Sequence, residues 1–99
     1  MIRHVVMWKL NAEDPEGQKV AAEAMAAALE PLVGQIDGLE RLTVRQNVAN
    51  AATNWHVILE SDHTSIEAVA AYGVHPLHVE AGAVVKANTR ERAAVDFEL

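Results

Sequence analysis

Residues 2–10 alternate, with Ile2, His4, Val6, Trp8 and Leu10 on one side and Arg3, Val5, Met7 and Lys9 on the other. A period of two predicts a β-strand. Its centre is apolar on both sides, so it is expected to be a central strand covered on both faces, not a half-solvated ribbon. The period changes after Asp14-Pro15-Glu16. Asp14 suits an N-cap, Pro15 the first helical position and Glu16 the first turn. From Gln18 to Val33, a helical stripe follows: Ala21, Met25, Ala28, Leu29 and Leu32. Its alanines allow close approach to a sheet. Pro31 ends or kinks this helix, and Gly34 and Gly38 punctuate the exit.

Leu42, Val44 and Val48 alternate with Arg41, Thr43, Arg45 and Asn47, which predicts a second strand over Leu39–Val48. A small-residue loop, Ala49–Asn54, leads to a third strand over Trp55–Asp62, apolar on both faces at Val57, Ile58 and Leu59. These two strands are expected to form a hairpin. Thr64-Ser65-Ile66-Glu67 reads as a capping box. It opens a short helix carrying Ile66, Val69 and Ala70 to about Gly73. Pro76 disfavours helical backbone at His75 and suits the start of a new helix, which carries Leu77, Ala81, Val84 and Val85. Arg92–Leu99 reads as a last strand, with Val95, Phe97 and Leu99 opposite Asp96 and Glu98.

The order β-α-β-β-α-β, with its second helix broken, predicts an α+β fold of ferredoxin-like type. It has a four-stranded antiparallel sheet with helices on one face, and the first and third strands adjacent at its centre. Ninety-nine residues make a single domain, 1–99. The far face of the sheet then lacks cover. An open apolar face marks an interaction surface, and two such sheets packed together give a homodimer.

Composition narrows the function. The formal charge of −6 argues against nucleic acid or an anionic membrane as partner. The absence of cysteine excludes disulfides, thiol catalysis and thiolate metal sites. The first ten residues carry charges within their apolar run, unlike a signal peptide. No run reaches the length of a membrane span. The expectation is a soluble, cytoplasmic protein.

Candidate chemistry concentrates in Tyr72-Gly73-Val74-His75-Pro76-Leu77-His78, which holds the only tyrosine and two of the five histidines. His78 reads either as a general base or as a structural histidine bonded to a neighbouring carbonyl or carboxylate. Tyr72 reads as a hydrogen-bond donor to a ligand or as a packing aromatic. His4 is a pocket wall or a hydrogen-bonded core group. His75 belongs to the break. For His56 and His63, solvent or capping roles suffice. Trp8 and Trp55 are core or interface aromatics, or a platform for an aromatic ligand. His75, His78 and Glu80 are close in sequence, but their spacing matches no metal signature. No phosphate loop or nucleophile elbow is present.

The strand Arg3-His4-Val5-Val6-Met7-Trp8-Lys9-Leu10, the element order, and the Tyr72–His78 stretch with Val79 following together resemble the stress-responsive dimeric α/β-barrel (Dabb) family. The resemblance spans the whole chain. It implies a homodimer whose two sheets form a barrel, with a small cavity in each subunit between sheet and helices. Within that family the sequence is similar to the olivetolic acid cyclase type of polyketide cyclase, which closes a linear polyketide by aldol condensation without metal or cofactor. That likeness implies His78 as general base, with Tyr72 and His4 beside it. The cyclase also uses a tyrosine from the middle of its first helix, where Ala24-Met25-Ala26-Ala27-Ala28 here has none.

The expected site is thus a small apolar pocket with His78, Tyr72 and His4 as catalytic groups and Val6, Trp8 and His75 as ligand contacts, with no metal and no cofactor. The chemistry would be cyclase- or lyase-like proton transfer beside a carbonyl of a small apolar or aromatic molecule. The alternative is a non-catalytic, stress-related dimer that is structural or sequesters a ligand. In the pocket reading His78 is expected within about 6–8 Å of His4 or of the Tyr72 hydroxyl, one small substrate group beyond hydrogen-bond reach; His78 pointing into solvent would favour the structural alternative.

Overall fold

The computed structural model describes residues 1–99, in the order β1 (Ile2–Leu10), α1 (Pro15–Leu29), a 3₁₀ turn (Glu30–Leu32), β2 (Leu39–Gln46), β3 (Val57–His63), α2 (Ile66–Val74), α3 (Pro76–Asn88) and β4 (Thr89–Glu98). The strands form one antiparallel sheet in the order β2-β3-β1-β4. This is the expected ferredoxin-like α+β arrangement, with β1 and β3 adjacent at the centre.

Strand register sorts the side chains. Val6 faces Leu59 on β3 and Ala94 on β4. Directly paired residues share a sheet face, so Val6, Trp8, Leu10, Val57 and Leu59 all turn toward the helices, where they are buried. They meet Ala21, Ala22, Met25 and Leu29 of α1. Each large apolar side chain so buried contributes on the order of 1.5–3 kcal/mol.

Local chemistry sets the boundaries. The Asp14 carboxylate accepts from Gly17 N–H at 3.0 Å, capping α1 as expected. Gly38 has φ +85°, and a Cβ there would lie 2.7 Å from the Ala68 Cβ. The chain therefore turns into β2 close against α2, where only glycine fits. The cap of α2 departs from expectation: Ser65, not Thr64, accepts from Ala68 N–H, at 3.0 Å. Thr64 N–H is bonded to the Gly38 carbonyl at 2.9 Å, which holds that residue to the turn before β2 and delays the helix by one position. β2 stops at Gln46 and leaves Val48 almost fully exposed. β4 begins at Thr89, three residues before the expected Arg92, because α3 passes into it with no loop.

One sheet face is uncovered within the chain, as the layout predicts, so the second face of β1 is left for a partner to cover. That face carries Val5, Met7, Ile58, Ala93, Val95 and Phe97, with Val95 63% and Phe97 44% exposed. The Arg3–Asp62–Arg41 ion cluster and the Lys9–Glu91 pair flank it. Beneath the other face, α3 buries only Ala81. Its packing on the sheet is therefore loose, and space is left there.

Candidate functional site

The space is a cavity of about 500 Å³ between the sheet and α2–α3, within the range of small-molecule sites. Its floor includes Val6 and Trp8 of β1 and Leu59 of β3, and its helix side includes Tyr72, Gly73, His78 and Gly82. The two glycines contribute no side chain and keep it open.

Five elements bring five polar side chains together. β1 supplies His4, β3 supplies His63, α2 supplies Tyr72, α3 supplies His78, and β4 supplies Asp96 opposite His4. The rings of Tyr72 and His78 are in contact, centroids 4.2 Å apart. His4 lies 6.2 Å from Tyr72 and 6.1 Å from His63.

The hydrogen bonds fix the tautomers. His78 Nδ1 lies 3.1 Å from the Gly73 carbonyl oxygen. A carbonyl only accepts, so Nδ1 carries the proton, and Nε2 of the neutral ring keeps its lone pair. Burial pushes the His78 imidazole below its ordinary 6.5; the Gly73 bond opposes this, and the charges of His4, Arg92 and His75 add to the lowering. The ring is therefore neutral near pH 7 and able to accept a proton. Burial pushes the Tyr72 phenol up to about 12, so it stays protonated, as a donor. His4 Nδ1 is bonded to the Asp96 carboxylate. An ionised carboxylate only accepts, so this nitrogen donates.

His75, expected among the ligand contacts, does not line the cavity. Its Nδ1 accepts from Leu77 N–H at 3.1 Å, and its own N–H is bonded to the Tyr72 carbonyl at 3.2 Å. It ends α2 and caps α3, so its ring is engaged by the break itself. No three His, Asp or Glu side chains gather closely enough to hold a metal ion.

His63 was assigned a solvent or capping role by the sequence. It is instead fully buried at the end of β3, with Nε2 2.8 Å from Ser61 Oγ and its ring 4.9 Å from Tyr72. His56 does cap: its Nδ1 accepts from Leu10 N–H at 2.8 Å at the end of β1. Asp96 was also missed as a site group. The signal for His63 was parity, since Val57, Leu59, Ser61 and His63 fall on one face. Trp55 is not part of this cavity; Lys9 lies over its ring at 5.2 Å.

Comparison with known proteins agrees with this architecture. The Arabidopsis thaliana stress-response A/B barrel domain-containing protein DABB1 is 27% identical over 99 residues, covering 98% of this chain and 46% of its own length. The chain thus spans about half the length of that relative. A dimeric protein of ferredoxin-like fold from Bacteroides fragilis superposes with a TM-score of 0.86 at 29% identity, over 99% of this chain and 95% of that one. A dimeric ferredoxin-like protein from Jannaschia sp. CCS1 gives 0.79 at 25% identity, over 99% and 98% of the two chains. The model of the stress-responsive A/B barrel domain, Dabb, matches residues 2–99, and the chain belongs to that family.

Proposed function

We propose that this domain is a homodimer that binds a small, largely apolar carbonyl compound between sheet and helices and moves a proton on it without a cofactor. One observation carries the reading: a neutral His78, its Nδ1 committed to Gly73, shares an apolar cavity with the protonated hydroxyl of Tyr72. The imidazole then removes a proton from carbon beside the carbonyl. The Tyr72 hydroxyl, which has no hydrogen-bond partner within the chain, donates to the carbonyl oxygen as negative charge develops there. His4, whose Nδ1 is held by Asp96, is a second hydrogen-bond partner for the ligand. Cyclase- and lyase-like reactions both begin with such a step. The dimer reading draws on the open apolar sheet face and on the dimeric relatives.

A second reading is supported by α1. The only α1 residue in the cavity wall is Leu29, so this helix contributes no hydroxyl. A cavity that lacks a hydroxyl on this side suits a protein that sequesters its ligand without turnover.

Native mass spectrometry of the purified protein tests both readings. The expected result is a dimer mass carrying a bound small molecule, lost or weakened in His78→Ala and Tyr72→Phe. Conversion of that molecule by the wild type alone supports catalysis, and retention without conversion supports sequestration. A ligand-free protein that binds no aromatic or enolisable carbonyl compound would remove both.

A further inference from the structure

One end of the cavity is lined by Lys86, from the last turn of α3, and by Arg90, Glu91 and Arg92 at the start of β4. Their pairing differs. Arg90 is bonded to Glu91 at 2.9 Å and to the Leu10 carbonyl at 3.3 Å, and Lys9 lies 3.6 Å from the same carboxylate. Glu91 is thereby neutralised. Lys86 and Arg92 have no ion pair and no side-chain hydrogen bond. The chain has eight Lys and Arg residues. Arg3 and Arg41 share Asp62, and Lys9 and Arg90 share Glu91. Two of the four that remain, Lys86 and Arg92, stand on the wall of this one cavity.

Both stand on the wall of the cavity, from different elements. Arg92 pairs directly with Trp8, so it shares the sheet face that floors the cavity. The helix C-terminus is a reason for a cation at Lys86, but it does not account for Arg92. The charge of Arg92 also bears on His78, where it disfavours the imidazolium. A chain of net charge −6 repels anions at long range, so two uncompensated cations at an apolar cavity form a local exception.

We propose that the ligand of this cavity carries an oxyanion, a carboxylate or a phosphate, held by Arg92 and Lys86 while its apolar body lies over Trp8 and Leu59. This rests on the reading that the cavity binds a small molecule, and it names the class: an apolar or aromatic acid, in place of a neutral ketone or hydrocarbon. Arg92 offers a planar fork of donors and Lys86 a mobile point charge, a combination that suits either anion.

Three probes with one ring system test it by isothermal titration calorimetry: naphthoate, naphthyl phosphate and naphthamide. At least one of the anions should bind about tenfold or more tightly than the neutral amide, as charge-assisted hydrogen bonds do. The tighter anion identifies the group. Lys86→Gln and Arg92→Gln should each remove most of that difference and leave the amide's affinity within about twofold. Raising salt from roughly 0.05 M to roughly 0.5 M should weaken the anions and spare the amide, a readout that needs no variant. If all three probes bind equally, or if the preference survives in the Lys86→Gln, Arg92→Gln double variant, the oxyanion proposal fails and the pocket reading stands. If none binds, both fail.

Discussion

The rings of His63 and Tyr72 meet edge to face, 4.9 Å apart, and His63 has no solvent exposure. His63 thereby sits behind the only tyrosine and opposes its retreat from the cavity. Its Nδ1 is buried without a partner, an arrangement that costs on the order of 1–3 kcal/mol. A neutral imidazole tolerates that position far better than a charged one.

This predicts a pH dependence of stability. Burial holds His63 below 6.5, and the charge of His4 adds to it. His78 and His56 are lowered as well, in both cases first by burial. A histidine with a lower pKa folded than unfolded gains a proton on unfolding, so stability falls as pH drops through a window that opens at 6.5. The urea midpoint should fall between roughly pH 7.5 and roughly pH 5.5, by at most about 1.4 kcal/mol per pH unit for each histidine. His63→Gln should flatten the profile. Asp62, held down by its bond to Arg3, acts only below 3.8 and does not blur the window. A midpoint independent of pH across this range would contradict the assignment.

Met7→Asp should break the assembly. Met7 lies on the open face, opposite Ile58 and Ala93. A carboxylate buried there between paired sheets costs about 3–5 kcal/mol. Sedimentation at micromolar concentration should show a wild-type dimer and a variant that is monomeric or unfolded. A monomeric wild type would end the dimer reading.

Tyr72→Phe and His78→Ala should separate function from folding. The Tyr72 hydroxyl has no hydrogen-bond partner within the chain, so its loss should change stability by less than about 0.5 kcal/mol. Ligand affinity should fall in both variants. Any turnover should drop about 10²–10⁴-fold in His78→Ala. Undiminished binding and turnover would move the site elsewhere.

His75→Ala makes the complementary test. Loss of an N-cap costs about 1 kcal/mol, so thermal unfolding should shift down while ligand affinity holds. Weakened binding in a fully folded variant would return His75 to the ligand contacts.

Gly38→Ala should destabilise more than Gly34→Ala. Both glycines have positive φ, +85° and +88°. A Cβ at position 38 meets Ala68 at 2.7 Å, whereas one at position 34 meets nothing within 4 Å. The difference should be on the order of 1–3 kcal/mol in denaturant titrations. Equal costs would show that the close approach to α2 is not rigid.

The order of elements was legible because each carried a local signature: alternation in β1, Asp14-Pro15 at α1, His75-Pro76 at the break. The site was legible only in part. Tyr72 and His78 are near in sequence, and the break that joins them brings their rings together. Asp96 and His4 are 92 residues apart, and only the register of β4 on β1 unites them. From sequence alone, Asp96 is the polar side of an exposed strand. His63 was hidden for a related reason. Ser61-Asp62-His63 reads as a strand leaving the core, yet Ile2 and Leu39 both pair with His63 and keep it inside. The cap of α2 moved from Thr64 to Ser65 through a bond to Gly38 that no local motif encodes.

The junction of α3 and β4 has a consequence for how the proposed acid would be chosen. Asn88 is the last helical residue and Thr89 the first of the strand. Thr89 Oγ1 is bonded to the Val85 carbonyl at 2.9 Å, Asn88 Nδ2 to the Val84 carbonyl at 2.8 Å, and Asn11 N–H to the Asn88 carbonyl at 2.9 Å. There is no slack between the helix that carries Lys86 and the strand that carries Arg92. The backbone positions that carry them are held before any ligand arrives. If the cavity takes the proposed acid, this end acts as a gauge: a molecule whose charged end stands at the wrong distance from its apolar body would be rejected by geometry.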